Sequence, residues 1–275
     1  MRIVVLGSGS SGNAVVVEHH GRRILLDGGF SCRELERRMQ AVGVAPESIE
    51  AIVLTHEHSD HLRGVDRFVR RFEVPFYATA GTLAESRSLG EKARRWARPL
   101  ASGRLAEIGP FQVEPFSIPH DAREPVGLVV EDGDGCRLGL AGDIGSRSRL
   151  AWGRLAEVDV LVLETNHDLE MLRSGPYPWV LKQRVAGRHG HLSNREAAEG
   201  LPELLCDRLR EVVLYHLSRT NNLPALAAAA VGEVLVREGS KAAVTVTEQH
   251  RPSAWVEVEP APAVGGQLRL QWATA

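Results

Sequence analysis

The sequence predicts an α/β fold in one large domain, and three observations carry that expectation. The chain has 275 residues, 43% of them hydrophobic, which suffices to bury a large core and fits one large α/β domain or two small ones. Short apolar strands come first, then mix with helical segments, and the chain ends in a β-α-β order, the alternation that builds mixed sheets covered by helices. No repeat, low-complexity linker or Pro/Gly-rich hinge interrupts that order. A single domain over residues 1–275 is expected, with about 259–275, around "EPAPAVGG", as a peripheral tail.

"RIVVL" (2–6) and "AVVVEH" (14–19) read as strands around the loop "GSGSSGN", and "RRILLDGG" (22–29) is a third, joined by a turn at His20-Gly21. "SCRELERRMQAVG" (31–43) has helical spacing with Ser31 as N-cap, and "IEAIVLT" (49–55) is a buried strand. Helices are predicted over 62–73 and 80–98, with the strand "PFYAT" between them. "FQVEPFSIPH", "VGLVVEDGDGCRLGLAGD" and "VDVLVLETNH" give four or five strands, with turns at Asp132-Gly133 and Asp134-Gly135. A helix near 168–186, another after Ser193, the strand "EVVLYH" (211–216), a helix over 223–238 and the strand "AAVTVTE" complete the set. The Gly-rich loop resembles a phosphate cradle, but it lies between strands and not before a helix, which argues against a P-loop or Rossmann turn.

Composition excludes several classes of function. Lys and Arg number 33 against 35 Asp and Glu, a formal charge of −2, so no overall basic field draws the chain onto nucleic acid and any such contact needs a local groove. Arg70-Arg71 and Arg94-Arg95 beside Trp96 are candidates for a groove wall or for ordinary charged helix faces. Cys32, Cys136 and Cys206 are far apart and form no CxxC pair, as in a reducing cytosol. The apolar run at the N-terminus is too short for a signal-peptide core. The run "LPALAAAAVGEVLV" is broken by Gly232 and Glu233, short of the roughly 20 residues of a membrane span. A soluble, cytoplasmic protein without membrane contact is expected, and whether it forms a homo-oligomer is left open.

The chemistry concentrates in "LTHEHSDH", which places His56, His58, Asp60 and His61 within six residues at the end of a strand. Alternate residues of a strand point the same way, so His56 and His58 can reach one ion while the following turn swings Asp60 and His61 toward a second. Three further strands stop on a group that can bind metal: "FSIPH" on His120, "LGLAGD" on Asp143 and "VVLYH" on His216. A sheet that delivers its polar ends to one rim assembles His56, His58 and His120 around a first ion and Asp60, His61 and His216 around a second, with Asp143 bridging. Two divalent cations, Zn²⁺ or Mn²⁺ with Fe²⁺ not excluded, suit this His/Asp set.

The pattern His-x-His-x-Asp-His followed by His, Asp and His resembles the motif of metallo-β-lactamase-fold hydrolases, and the resemblance covers almost the whole chain. It implies an αββα sandwich, with two mixed β-sheets face to face and helices outside. It also implies that Asp27 matches the family's early Asp, which orients the ligands from behind. Thioesterases, lactonases, lactamases and nucleases share the metal motif, so other segments must choose the substrate. "LGSGSSGNA", "LTHEHSDH", "ETNHD", "GPYPWVLKQRVAGRHGHLSN" and "YHLSRTNN" together resemble the WalJ/YycJ group of bacterial proteins, which implies a DNA exonuclease acting from 5′ ends. Thr220 stands where that group's last motif leads one to expect an acidic residue. Only 72 residues separate Asp143 from His216, too few for the β-CASP insertion of RNA-processing relatives.

"GHLSN", with His191 25 residues before His216, resembles the His motif of ribonuclease Z and its phosphodiesterase relatives. That resemblance implies that His191 is a catalytic residue that protonates the departing alkoxide. Asp60 is the second catalytic candidate. Ser193 as N-cap with Glu196 three residues on predicts a capping box, whose free N–H groups suit a phosphate. Asn166, His167, Ser193 and Arg219 are candidate substrate contacts, although Asp168 beside His167 also reads as a plain helix cap. His189 reads as a surface or phosphate-contact residue, and His19, His20 and His250 as turn or strand-end residues. The alternatives are a small-molecule phosphodiesterase, a thioester or lactone hydrolase, and a non-catalytic metal-bound regulatory protein.

Overall fold

A computed structural model of the chain describes residues 1–259; the expected peripheral tail, apart from Glu259, lies outside the described residues. Strands β1 (Arg2–Gly7), β2 (Ala14–His19), β3 (Arg22–Leu26), β4 (Ile49–Val53), β5 (Phe76–Ala78) and β6 (Ala97–Pro99) form one sheet in that order, with β14 (Val256–Glu257) added beside β1. The second sheet holds β7 (Ala106–Ile108), β8 (Phe111–Ser117), β9 (Val126–Glu131), β10 (Arg137–Ala141), β11 (Val160–Glu164), β12 (Glu211–Tyr215) and β13 (Ala243–Val246) in sequential order. Both sheets are mixed. β1–β3 and β7–β10 are antiparallel, whereas β3–β6 and β10–β13 are parallel.

Parallel neighbours need crossovers, and the helices supply them on the outer faces. α1 (Cys32–Ala41) joins β3 to β4; α2 (Ser59–Leu62) and α3 (Val65–Phe72) lead to β5; α4 (Ala80–Glu85) and α5 (Glu91–Arg94) lead to β6. In the second half α6 (Arg149–Leu155) precedes β11, and α7 (Leu169–Ser174), α8 (Trp179–Val185) and α9 (Asn194–Gly200) precede β12. α10 (Pro224–Arg237) then leads to β13.

The strands read as continuous apolar runs because both faces are buried. Ile3, Val5, Val15, Val17, Ile24 and Leu26 meet Leu128, Val130, Leu138, Leu140, Val160 and Val162 between the sheets. The alternate residues Val4, Leu6, Val16 and Leu25 turn outward onto Leu35, Met39, Phe68 and Val69 of α1 and α3. On the other side Leu161, Leu163, Val212 and Leu214 meet Trp152, Leu155, Ala197 and Val231 of α6, α9 and α10. The expected αββα sandwich is therefore the fold.

Two predicted helices break. The segment 80–98 divides into α4, α5 and strand β6, because Ala97–Pro99 pairs with β5. The guanidinium of Arg94 donates to the carbonyls of Leu83, Ser86 and Leu89 that the interruption releases. The segment 168–186 divides into α7 and α8 at Gly175-Pro176-Tyr177-Pro178, where neither proline offers an N–H and each disfavours helix in the residue before it. The short strands β7 and β14 carry too few residues to show a period in the sequence.

Candidate active site

β4 stops at Val53, and the chain from Leu54 to Leu62 forms a loop and the single turn of α2. Asp27, just past β3, holds this loop. One carboxylate oxygen accepts the Thr55 N–H (2.9 Å), and the other accepts the Thr55 hydroxyl (2.9 Å) and the Nδ1–H of His61 (2.7 Å). Nδ1 is thus engaged and His61 Nε2 faces the rim. The Asn13 side-chain amide lies 3.0 Å from that Nε2 and 3.3 Å from the Asp60 carboxylate. Asp27 (φ 60°) and His216 (φ 56°) both adopt left-handed backbone, a strained conformation for residues other than glycine that is characteristic of built sites.

The second sheet brings its donors to the same rim. Asp143, after β10, sets one oxygen 3.6 Å from His56 Nε2 and 3.5 Å from both His61 Nε2 and His120 Nε2. His120 donates Nδ1–H to the Gly190 carbonyl (3.1 Å), which aims Nε2 inward. His216 places Nε2 3.4 Å from the Asp60 carboxylate. All seven predicted metal-binding residues therefore meet, in two groups that share Asp143. In His56, His58, His120 and Asp143, and again in Asp60, His61, Asp143 and His216, donor atoms lie within 4.8 Å of one another.

Burial and mutual charge polarise the cluster. Burial and the neighbouring His61 hold His56 well below the usual imidazole range. Burial also lowers His120, against the pull of Asp143. For His61 and His216 burial is outweighed by carboxylates: Asp143, Asp27 and Asp60 raise His61, and Asp143, Asp60 and Glu164 push His216 up to about 10. Asp60, despite burial, is held down to about 2 by His61 and His216. His56 Nε2 and Asp143 Oδ1 are buried without a hydrogen-bond partner, although His216 Nδ1 stands 3.3 Å from the latter without hydrogen-bond geometry. Such orphans cost free energy unless something satisfies them.

A family model described as a β-lactamase superfamily domain matches residues 22–217, from just before Asp27 to just past His216. The chain belongs to the metallo-β-lactamase superfamily. Within it, the chain is similar to the exodeoxyribonuclease YycJ of Bacillus anthracis, 33% identical over 236 residues that cover 86% of this chain and 89% of that protein. It is also similar to the exodeoxyribonuclease WalJ of Streptococcus pneumoniae serotype 2, 35% identical over 226 residues that cover 81% and 84% of the two. The metallo-β-lactamase fold protein YhfI of Bacillus subtilis shares the fold, with a TM-score of 0.70 at 16% identity over 92% of this chain and 98% of that one. The chain is thus a metallo-β-lactamase superfamily hydrolase.

Beside the seven donors stands a further pair. His191 donates Nδ1–H to the fully buried Glu164 (2.7 Å), whose same oxygen accepts from His216 Nδ1 (2.9 Å). The other oxygen of Glu164 accepts the N–H of Ile144 (2.8 Å) and of Leu192 (3.2 Å). Burial opposes charge on Glu164, but His191 and His216 hold its carboxyl below the usual range; against its own burial, His191 is raised by Glu164. Glu164 closes an apolar strand as Asp143 does, the signal that finds Asp143 in the sequence, yet it was not among the candidates. Asn13, and the Arg184–Asp121 ion pair (2.6 Å) at the cleft wall, were also missed.

The candidate substrate contacts separate. Asn166 lines a cavity of about 230 Å³ beside the donors, together with Tyr177, Leu181, Arg184, His191 and Ser218. His167 is 1% exposed and Ser193 is fully buried. Ser193 is spent in the capping box: its hydroxyl accepts the Glu196 N–H, and Glu196 in turn accepts from the Ser193 backbone. Asn194 N–H goes to the His167 carbonyl. The phosphate seat expected at the start of α9 is therefore filled by the protein's own groups. Arg219 and His189 are exposed, outside the residues that line the cavity.

Proposed function

We propose that the protein is a dinuclear metal-dependent phosphodiesterase, a DNA exonuclease acting from 5′ ends. The observation that carries the reading is the His191–Glu164 pair beside a site that already has seven donors. A thioester hydrolase has no use for it, because a thiolate leaves unaided, whereas an alkoxide leaving phosphorus needs a proton. The similarity to YycJ and WalJ, both named exodeoxyribonucleases, supports DNA as the substrate.

The residues fit divalent ions. His56 Nε2 and Asp143 Oδ1 are the buried orphans that a cation would satisfy, and a set of imidazoles and carboxylates suits Zn²⁺, Mn²⁺ or Fe²⁺. His56, His58 and His120 would hold one ion and Asp60, His61 and His216 the other, with Asp143 shared. Bound ions supply Lewis acidity, lowering the pKa of water and neutralising charge on phosphate oxygens. Asp27 fixes His61 in the tautomer that leaves Nε2 free, and Asn13 restrains Asp60. Glu164 keeps His191 protonated at Nδ1 and favours the imidazolium, so Nε2–H is the proton delivered to the departing oxygen. Tyr177 and Arg184, the latter already paired with Asp121, line the cavity beside the donors, where an aromatic ring can stack on a base.

Among the described residues no helix is long and apolar enough to cross a membrane. The three cysteines are free, which supports a reducing, cytoplasmic location.

The test is hydrolysis of 5′-labelled and 3′-labelled DNA, a small phosphodiester and a thioester, each with Mn²⁺ or Zn²⁺, by the protein and by His191→Ala. The reading predicts mononucleotides released from 5′ ends and a loss of roughly 10²–10⁴-fold in the variant. Cleavage of the thioester alone, untouched by the substitution, would overturn it.

A further inference from the structure

A second cluster of imidazole and carboxylate side chains lies at the opposite end of the strands. β2 ends at His19 and β3 starts at Arg22, so the turn His20-Gly21 sits at the far end of the strand that leads to Asp27. β9 ends at Glu131 and β10 starts at Arg137, so its turn is likewise remote from Asp143. Here the two sheets touch through polar groups. His20 Nε2 lies 3.1 Å from Asp134 Oδ2, His19 Nδ1 lies 3.9 Å from the same oxygen, and Asp132 stands 3.1 Å from His19 Nδ1. The two imidazole centroids are 4.2 Å apart.

Three features show more than charged side chains meeting by chance. Residue 20 has φ 47° and Gly21 has φ 79°, the left-handed pair of a two-residue hairpin turn whose first position normally takes Asn, Asp or Gly. A histidine there accepts backbone strain while its ring reaches across to the other sheet. His19 is 8% exposed and Asp132 4%; Asp132 is fixed by the N–H groups of Asp134 and Cys136 (3.0 Å each) and by the amine of Met1 (3.2 Å). A Cβ at residue 133 would stand 3.1 Å from His19 Nε2, so glycine there leaves room for the ring.

We propose that His19, His20 and Asp134 bind one divalent transition-metal ion that staples the first sheet to the second. One donor atom from each residue lies within 4.8 Å of the others. Two imidazoles and one carboxylate select a zinc-like or nickel-like cation over Mg²⁺ or Ca²⁺, which prefer all-oxygen sets. His20 and Asp134 are exposed, so water completes the shell and the ion exchanges with solvent. The site shares no residue with the donor cluster and does not depend on the proposed phosphodiesterase activity.

The experiment uses untagged, chelator-stripped protein and counts bound Zn²⁺ or Ni²⁺ by equilibrium dialysis with elemental analysis, for the protein, His20→Gly and Asp134→Asn. Glycine is at ease at φ 47°, so His20→Gly keeps the turn. We expect each variant to bind one ion fewer than the parent at saturation, with phosphodiesterase activity unchanged. Added Zn²⁺ should raise the parent's Tm more than that of His20→Gly, while the metal-free Tm of His20→Gly is equal to or above the parent's. Equal ion counts in all three proteins would overturn the proposal, as would an equal Tm response to Zn²⁺. Either result would make the cluster a hydrogen-bonded clasp between hairpins.

Discussion

The first sheet runs antiparallel through β1–β3 and parallel through β3–β6, and the second repeats the plan through β7–β10 and β10–β13, yet the two deliver polar groups in different ways. The first crowds His56, His58, Asp60 and His61 into one loop after β4 and braces it from behind with Asp27 and Asn13. The second sets His120, Asp143, Glu164 and His216 at or just past the ends of β8, β10, β11 and β12. A loop supplies several donors but needs bracing to hold them. Strand ends supply one donor each, already fixed by the ladder, and can place it between groups that would otherwise stay apart. Asp143, common to both donor groups, and Glu164, which holds His191 from the connection between α8 and α9, accordingly come from the second sheet.

That contrast orders the expected effects of substitution. Asp143 belongs to both donor groups, so Asp143→Ala should remove both ions from the rim and reduce DNA hydrolysis by more than about 10³-fold, beyond the ~10–100-fold typical of outer-shell positions. Metal analysis with single-turnover hydrolysis would check it, and retention of full metal content would contradict a shared role. Glu164→Gln keeps the volume and removes the charge that raises His191. The acid must be protonated, so activity falls as pH rises through its pKa, and losing Glu164 lowers that pKa. The alkaline limb of the kcat profile should move to lower pH, with kcat down roughly 10–100-fold; an unmoved limb would separate Glu164 from the acid.

In the first sheet, Asp27→Asn should weaken metal affinity by about 10–100-fold while excess metal restores most of the rate, because it braces the loop without touching substrate. A rate that no metal concentration restores would place Asp27 in the chemistry instead. The smallest effect is expected from Ser193→Ala, which breaks the capping box of α9 and should cost about 1 kcal/mol in denaturant unfolding. Activity per folded molecule should stay near the parent's. A marked rise in KM would show that Ser193 reaches substrate despite its burial.

The same contrast explains what the sequence reveals. His56 to His61 are legible because four donors within six residues are rare, and His120, Asp143 and His216 because each ends an apolar strand. Glu164 carries the same strand-end signal, but its neighbours Asn166 and His167 look more reactive, and only the fold shows that His167 is buried while Glu164 joins His191 to His216. The Arg184–Asp121 pair spans 63 residues and depends on α8 folding back over the cleft, which no local pattern encodes. His19, His20 and Asp134 read as ordinary turn residues until the two hairpins are placed side by side. The mixed α/β order is legible from the continuous apolar runs of the strands, whereas α4–α5 and α7–α8 read as continuous helices, since tertiary pairing and prolines decide their breaks.

Proton transfer from His191 to the leaving oxygen is the central step of the proposed reaction, and leaving-group dependence tests it directly. Hydrolysis of a p-nitrophenyl phosphodiester, whose phenolate departs without help, should be compared with that of a DNA end, whose alkoxide does not, for the protein and for His191→Ala. The account predicts a loss of roughly 10²–10⁴-fold on DNA and only a few-fold loss on the nitrophenyl ester. Equal losses on both substrates would contradict it and assign His191 to binding or to support of the metal donors.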